Sequence, residues 1–304
     1  MDEWTIIEEK RFCESYIYGI PEYVNSFTSI FIFIFGLLLI YINKNTNVII
    51  RFIASSFTIT GIGSFYYHWT FHRGAGLMDT LPMLVSSYLG AYMSLDIILY
   101  KIFKKDHGHR AKLGACRSEP RERSDLGANL GDRRSTRDLY EILSGTLCLL
   151  IASGLYISII FVSLTDSNNG TFDILFAIPN ILILFSSLFI RFYIFAGNDN
   201  LELKKSFIYL TIGLSSIIFS AILWIITELT CEVHTWTRYL YAHGIWHIGV
   251  SYGFYNLIIF FIFINAFIKD RKPFFNSPTE GGGWALISKI IPSVKIRENN
   301  VTKV

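Results

Sequence analysis

Two histidines stand four residues apart in His243-Gly244-Ile245-Trp246-His247, and a third, His68, lies far upstream at the end of an apolar run. Residues four apart share one face of a helix, so the first two imidazoles can bind a single tetrahedral ion. With His68 as third ligand the set becomes the three-histidine arrangement of catalytic zinc sites, in which the fourth position is left to water. Zinc lowers the pKa of such a water to about 7 and makes it a nucleophile toward an ester or amide carbonyl. Proton transfer then needs a carboxylate, and Asp79 is available. Ser64, four residues before His68, lies on the same face. Alone, Ser64 would be a small packing residue bonded to its own backbone, and a lone His-x-x-x-His is only moderately specific. His72 and His234 fall in loops and read as solvated.

The elements that must position these groups are membrane helices. Of 304 residues, 52% are apolar and 17% charged, with 26 Phe and 17 Tyr; an average soluble domain carries about 25% charge. Charge-poor runs occur at 23–42, 52–67, 80–95, 142–165, 174–190, 206–227 and 248–268, each near the ~20 residues a spanning helix needs. The fold expected is an all-α, polytopic bundle of seven transmembrane helices, in which polar residues extend the second, third and seventh runs as helix. A net charge of +3 gives no sign of nucleic-acid binding. The expected division is an N-terminal segment over 1–21, a catalytic membrane domain over 22–268 and a tail over 269–304. No cleavable signal is evident at the start of the chain.

Lysine and arginine favour one set of connections: Lys44 and Arg51, Lys101 to Lys105, Arg191 to Lys205, and Lys269 onward. That set is placed in the cytosol, with the N-terminus lumenal or extracellular and the C-terminus cytosolic. The sequon at Asn169 then lies outside. The connection over 104–138 belongs to a stretch from Lys101 to Asp138 with eleven Lys or Arg against six Asp or Glu, and it is expected to be disordered in the cytosol. His107 and His109 within it receive no metal role. Counting from Arg51, His68 is 17 residues along, ~26 Å at ~1.5 Å per residue. It therefore reaches the outer leaflet, where Asp79 opens the third span and His243 and His247 open the seventh. Four ionisable groups from three helices share one depth, and within a membrane such groups are functional candidates by default.

These residues resemble the alkaline ceramidase family, part of a superfamily of seven-helix membrane hydrolases that also includes adiponectin-type receptors. Gly61 to Thr70 and Leu77 to Met83 resemble the family's Gly-x-Gly-Ser-x-x-(aromatic)-His-x-Thr and Leu-Asp-Glu-Leu-Pro-Met signatures, with Thr80 in place of the glutamate. His243 to His247 is similar to its last-helix motif, and Cys13-Glu14 and Glu22 to Asn25 are similar to its N-terminal elements. The resemblance implies zinc on His68, His243 and His247, proton exchange by Asp79, and Ser64 steadying an oxyanion. The reaction implied is hydrolysis of the ceramide amide to a sphingoid base and a fatty acid in an endoplasmic reticulum or Golgi membrane, with the site in the lumenal leaflet. It further implies calcium ligands at Glu14 and Glu22, but Arg11 and Tyr16 replace the family's aspartate and asparagine and the segment is shorter, which weighs against calcium. A Cys13–Cys231 disulfide is implied as well, in a lumen that permits one, with Cys116 and Cys148 free. The partners are then the bilayer and a lipid of the ceramide class; nothing points to a protein partner.

Competing expectations are a receptor-like member of the superfamily that keeps the zinc core and residual hydrolase activity, and a G-protein-coupled receptor. The latter's signatures are missing: the third span ends Asp96-Ile97-Ile98-Leu99-Tyr100-Lys101 without Asp-Arg-Tyr, and the seventh lacks Asn-Pro-x-x-Tyr. A transporter would leave the histidine cluster unexplained.

Overall fold

A computed structural model describes residues 12–42, 47–104, 124–164, 171–269, 271–275 and 291–297. Its seven helices long and apolar enough to cross a membrane are Tyr23–Ile42, Val48–Thr70, Arg73–Lys104, Ser124–Leu164, Thr171–Phe189 (continuing as a π turn over Ile190–Ile194), Leu201–Thr230 and Ala242–Ile268. They are called the first to seventh spans. The first coincides with its charge-free run. The others run past theirs, because a backbone in hydrocarbon must complete its own hydrogen bonds before the chain can turn.

Helix starts are capped where the chain supplies an acceptor. Asn47 accepts from the Ile49 amide and Asn200 from the Leu203 amide, each satisfying a donor that the first turn leaves over. The fourth span's helix begins at Ser124, within the basic connection. Extending an existing helix costs little per residue. The rest of that loop, with Cys116, His107 and His109, lies outside the described residues, as does the sequon at Asn169.

The seventh span is the hub. It is apolar on every side from Leu257 to Ile264, as a helix surrounded by protein must be, and all eight of those residues are buried. The first and sixth spans pack along it, the second packs on the first, and the third joins the second to the fourth and fifth. Strands β1 (Lys272–Phe275) and β2 (Val294–Arg297) pair antiparallel, and Phe275 stacks on Phe263 of the seventh span at 4.9 Å. Tyr255, fully buried, donates to the Pro292 carbonyl at 2.7 Å.

One close approach sets the position of Asp79. A Cβ on Gly63 would stand 2.5 Å from the Asp79 amide nitrogen, so only glycine lets the second span meet the third there. Gly63→Val is expected to cost about 1–3 kcal/mol by overpacking and to lower turnover by displacing Asp79. Thermal unfolding of the purified protein, measured with turnover, checks both effects.

Candidate metal centre

All three predicted histidines meet at one end of the bundle, where the second span closes and the seventh opens. One ligand nitrogen from each of His68, His243 and His247 lies within 4.8 Å of the others, and all three residues are buried. Ring centroids are 4.8 Å apart for His68 and His243, 5.3 Å for His68 and His247, and 4.7 Å for His243 and His247. The turns delivering these helix ends adopt left-handed backbone at Phe71 (φ 54°) and Tyr241 (φ 48°). Neither is glycine, and such conformations cost about 1–3 kcal/mol each where the surroundings enforce them.

The far sides of His68 and His247 are already engaged by hydrogen bonds, and that of His243 faces a carboxylate. His68 Nδ1 lies 2.7 Å from Glu22 Oε2, both side chains fully buried. A carboxylate accepts, so the proton sits on Nδ1 and the Nε2 lone pair points inward. His68 Nε2 is buried with no hydrogen-bond partner among the described residues, a condition that native interiors rarely tolerate. His247 Nδ1 lies 3.0 Å from Thr28 Oγ1 and 3.3 Å from Ser29 Oγ. The Thr28 hydroxyl gives its proton to the Val24 carbonyl, so His247 donates to it and likewise keeps Nε2 for the centre. His243 Nδ1 lies 3.8 Å from Glu228 Oε1. Two imidazoles with their outward nitrogens hydrogen-bonded, and a third whose Nδ1 faces a carboxylate at longer range, form a donor set suited to a divalent ion.

Ser64 is buried one step behind this cluster, 3.0 Å from Ser29 Oγ. Asp79 is half-buried beside Gly63 and within electrostatic reach of Tyr67. Glu14 and Glu22 brace the N-terminal segment. Glu14 accepts from the Val24 amide (2.7 Å) and the Asn25 amide (2.9 Å), capping the first span. Burial holds its carboxyl above the ordinary glutamate range, against the lowering effect of those two donors. Glu22 accepts from Ser15 and from Asn25 as well as facing His68. The oxygens of both carboxylates are thus engaged by protein groups.

Cys13 and Cys231 form the disulfide, with Cα atoms 5.8 Å apart, and Cys148 is a free thiol. Two residues at the centre carry no role in the sequence analysis. Glu228 sits just past the sixth charge-free run, one helical turn before Cys231, and that spacing was its available signal. Phe12 packs its ring 4.5 Å from His243 and 5.1 Å from His68; a lone phenylalanine among 26 gives no signal at all.

Fold and centre together define an integral membrane protein with a buried three-histidine group fit for a metal ion. A family model described as Ceramidase matches residues 9–292. The chain belongs to the ceramidase family, and so to a group of amidohydrolases that act on ceramide. No curated protein sequence matches it.

Proposed function

We propose that the chain is a zinc-dependent hydrolase of the alkaline ceramidase type, cleaving the N-acyl bond of ceramide to release a sphingoid base and a free fatty acid. The observation carrying this reading is the convergence of three buried imidazoles with the His68 Nε2 left unpartnered among the described residues. Zinc held by His68, His243 and His247 would polarise the amide carbonyl and make water nucleophilic near neutral pH. Asp79 takes a proton from the attacking water and returns it to the departing nitrogen, which must leave as an amine. Ser64 donates a hydrogen bond to the oxygen that becomes negative as the carbonyl turns tetrahedral. Glu22, Thr28 and Ser29 hold the imidazoles in one tautomer. Glu14 and Glu22 act here as braces, and calcium has no part in the scheme.

The basic connections all leave the bundle at the end away from the histidines, which supports a cytosolic placement for that end. The Cys13–Cys231 bridge at the histidine end accords with an oxidising compartment. In this reading the N-terminus is lumenal, the C-terminus is cytosolic, and the centre works at the lumenal leaflet of an endoplasmic reticulum or Golgi membrane. Ceramide, dihydroceramide and phytoceramide supplied to purified protein test the reaction by mass spectrometry. Sphingoid base and fatty acid are expected in equal amounts, lost on chelation and restored by zinc. Absence of product from all three lipids, or hydrolysis that resists chelation, refutes it.

A further inference from the structure

Phe12 and Glu228 reach the histidines by one route. The Cys13–Cys231 bridge ties the N-terminal segment to the end of the sixth span, and Glu228 Oε2 accepts from the Cys13 amide at 3.1 Å. The same carboxylate presents Oε1 to His243 Nδ1 at 3.8 Å. One residue before Cys13, the Phe12 ring meets His243 edge-on at 4.5 Å and His68 at 5.1 Å, with Tyr67 and Phe71 behind it at 6.4 and 6.3 Å. Only 8% of Phe12 is exposed. The ring thus covers two of the three imidazoles, and its neighbour Cys13 is anchored by the bridge.

We propose that Phe12 and Glu228 are positioning residues of the metal centre, clipped in place by the Cys13–Cys231 bridge, and that together they govern how tightly the centre retains its ion. This rests on the three-histidine reading given above. Glu228 faces His243 Nδ1 from 3.8 Å, beyond hydrogen-bond distance. Its carboxylate favours a proton on Nδ1 less strongly than the 2.7 Å Glu22 contact does for His68. Hydrogen-bonded partners of this kind are worth about 10–100-fold in metal affinity or activity, and the longer contact sits at the low end of that range. Phe12 supplies the apolar wall that keeps water and competing ligands from the imidazoles. An exposed pair of imidazoles would exchange its ion with solvent; a covered pair exchanges only when the segment lifts.

The test is the rate at which the zinc-loaded, full-length protein in nanodiscs gives up zinc to a chromogenic chelator, read with kcat, KM and the unfolding midpoint. Phe12→Ala is expected to release zinc about tenfold faster, Phe12→Leu to fall between, and Phe12→Trp to return to the parent rate. Glu228→Ala should accelerate release by about tenfold, and Glu228→Gln, which keeps an acceptor, by less. Paired Cys13→Ser and Cys231→Ser substitutions should match Phe12→Ala, and adding Phe12→Ala to that pair should change little, because both act through one clip. If Phe12→Ala, Phe12→Leu and Glu228→Ala all fold and release zinc at the parent rate, the positioning roles are wrong while the three-histidine centre stands. If the parent protein holds no zinc that depends on His68, the underlying reading fails and takes this one with it.

Discussion

His68→Ala, His243→Ala and His247→Ala are each expected to lower zinc occupancy to a small fraction of the parent value and turnover by about 1000-fold or more. The magnitude follows from losing a Lewis acid worth several kcal/mol at the transition state, with about 1.4 kcal/mol for each factor of ten. The stability effects should differ between the three, and that difference distinguishes the centre from a generic polar cluster. Removing His68 leaves Glu22 Oε2, at a fully buried position, with Asn25 as its remaining partner, and a buried carboxyl that loses a hydrogen bond is costly. Removing His247 leaves only Thr28 and Ser29, whose hydroxyls keep their bonds to the Val24 and Asn25 carbonyls. His68→Ala should therefore unfold at the lower temperature of the two. Metal analysis, ceramide turnover and thermal unfolding on the same samples check the set. Activity above a tenth of the parent value in any of the three contradicts a metal-dependent reaction.

What the sequence made legible was periodicity and depth. The histidine pair is visible because four residues make one helical turn, and His68 joins it because distance along a helix is proportional to residue count. The seven spans are visible because the bilayer fixes their length. The braces behind the ligands were not legible, since Glu22 meets His68 across 46 positions and Cys13 meets Glu228 across 215. Such contacts are set by how spans rotate against each other, and rotation is decided by details such as Gly63 or the small Gly244, where a Cβ would stand 3.1 Å from Val24. Glu22 illustrates the point. Its acidity was visible in the sequence, and its neighbours in space, an imidazole, an amide and a hydroxyl, were not.

Asp79→Asn separates the proton carrier from the metal ligands. The amide has nearly the volume of the carboxylate, so the contact of the third span with Gly63 persists and the histidines, which belong to other spans, keep their geometry. Zinc content and unfolding temperature should therefore match the parent protein. Turnover should fall by about 100- to 10,000-fold, the usual worth of a positioned acid or base, because an amide cannot accept the proton that the nucleophile must lose or supply the one that the leaving nitrogen needs. The effect should fall mainly on kcat, with KM little changed, since the lost interaction belongs to the transition state rather than to lipid binding. A variant that keeps more than a tenth of the parent kcat would move the proton to another group. A second carboxylate at the centre is Glu228, facing His243, and kcat for Glu228→Gln decides between the two: a fall of about 100-fold or more with zinc retained would mark Glu228 as the carrier. If Asp79→Asn instead loses its zinc, Asp79 is part of the metal-binding framework, and its position beside Gly63 matters for holding the ion rather than for moving a proton.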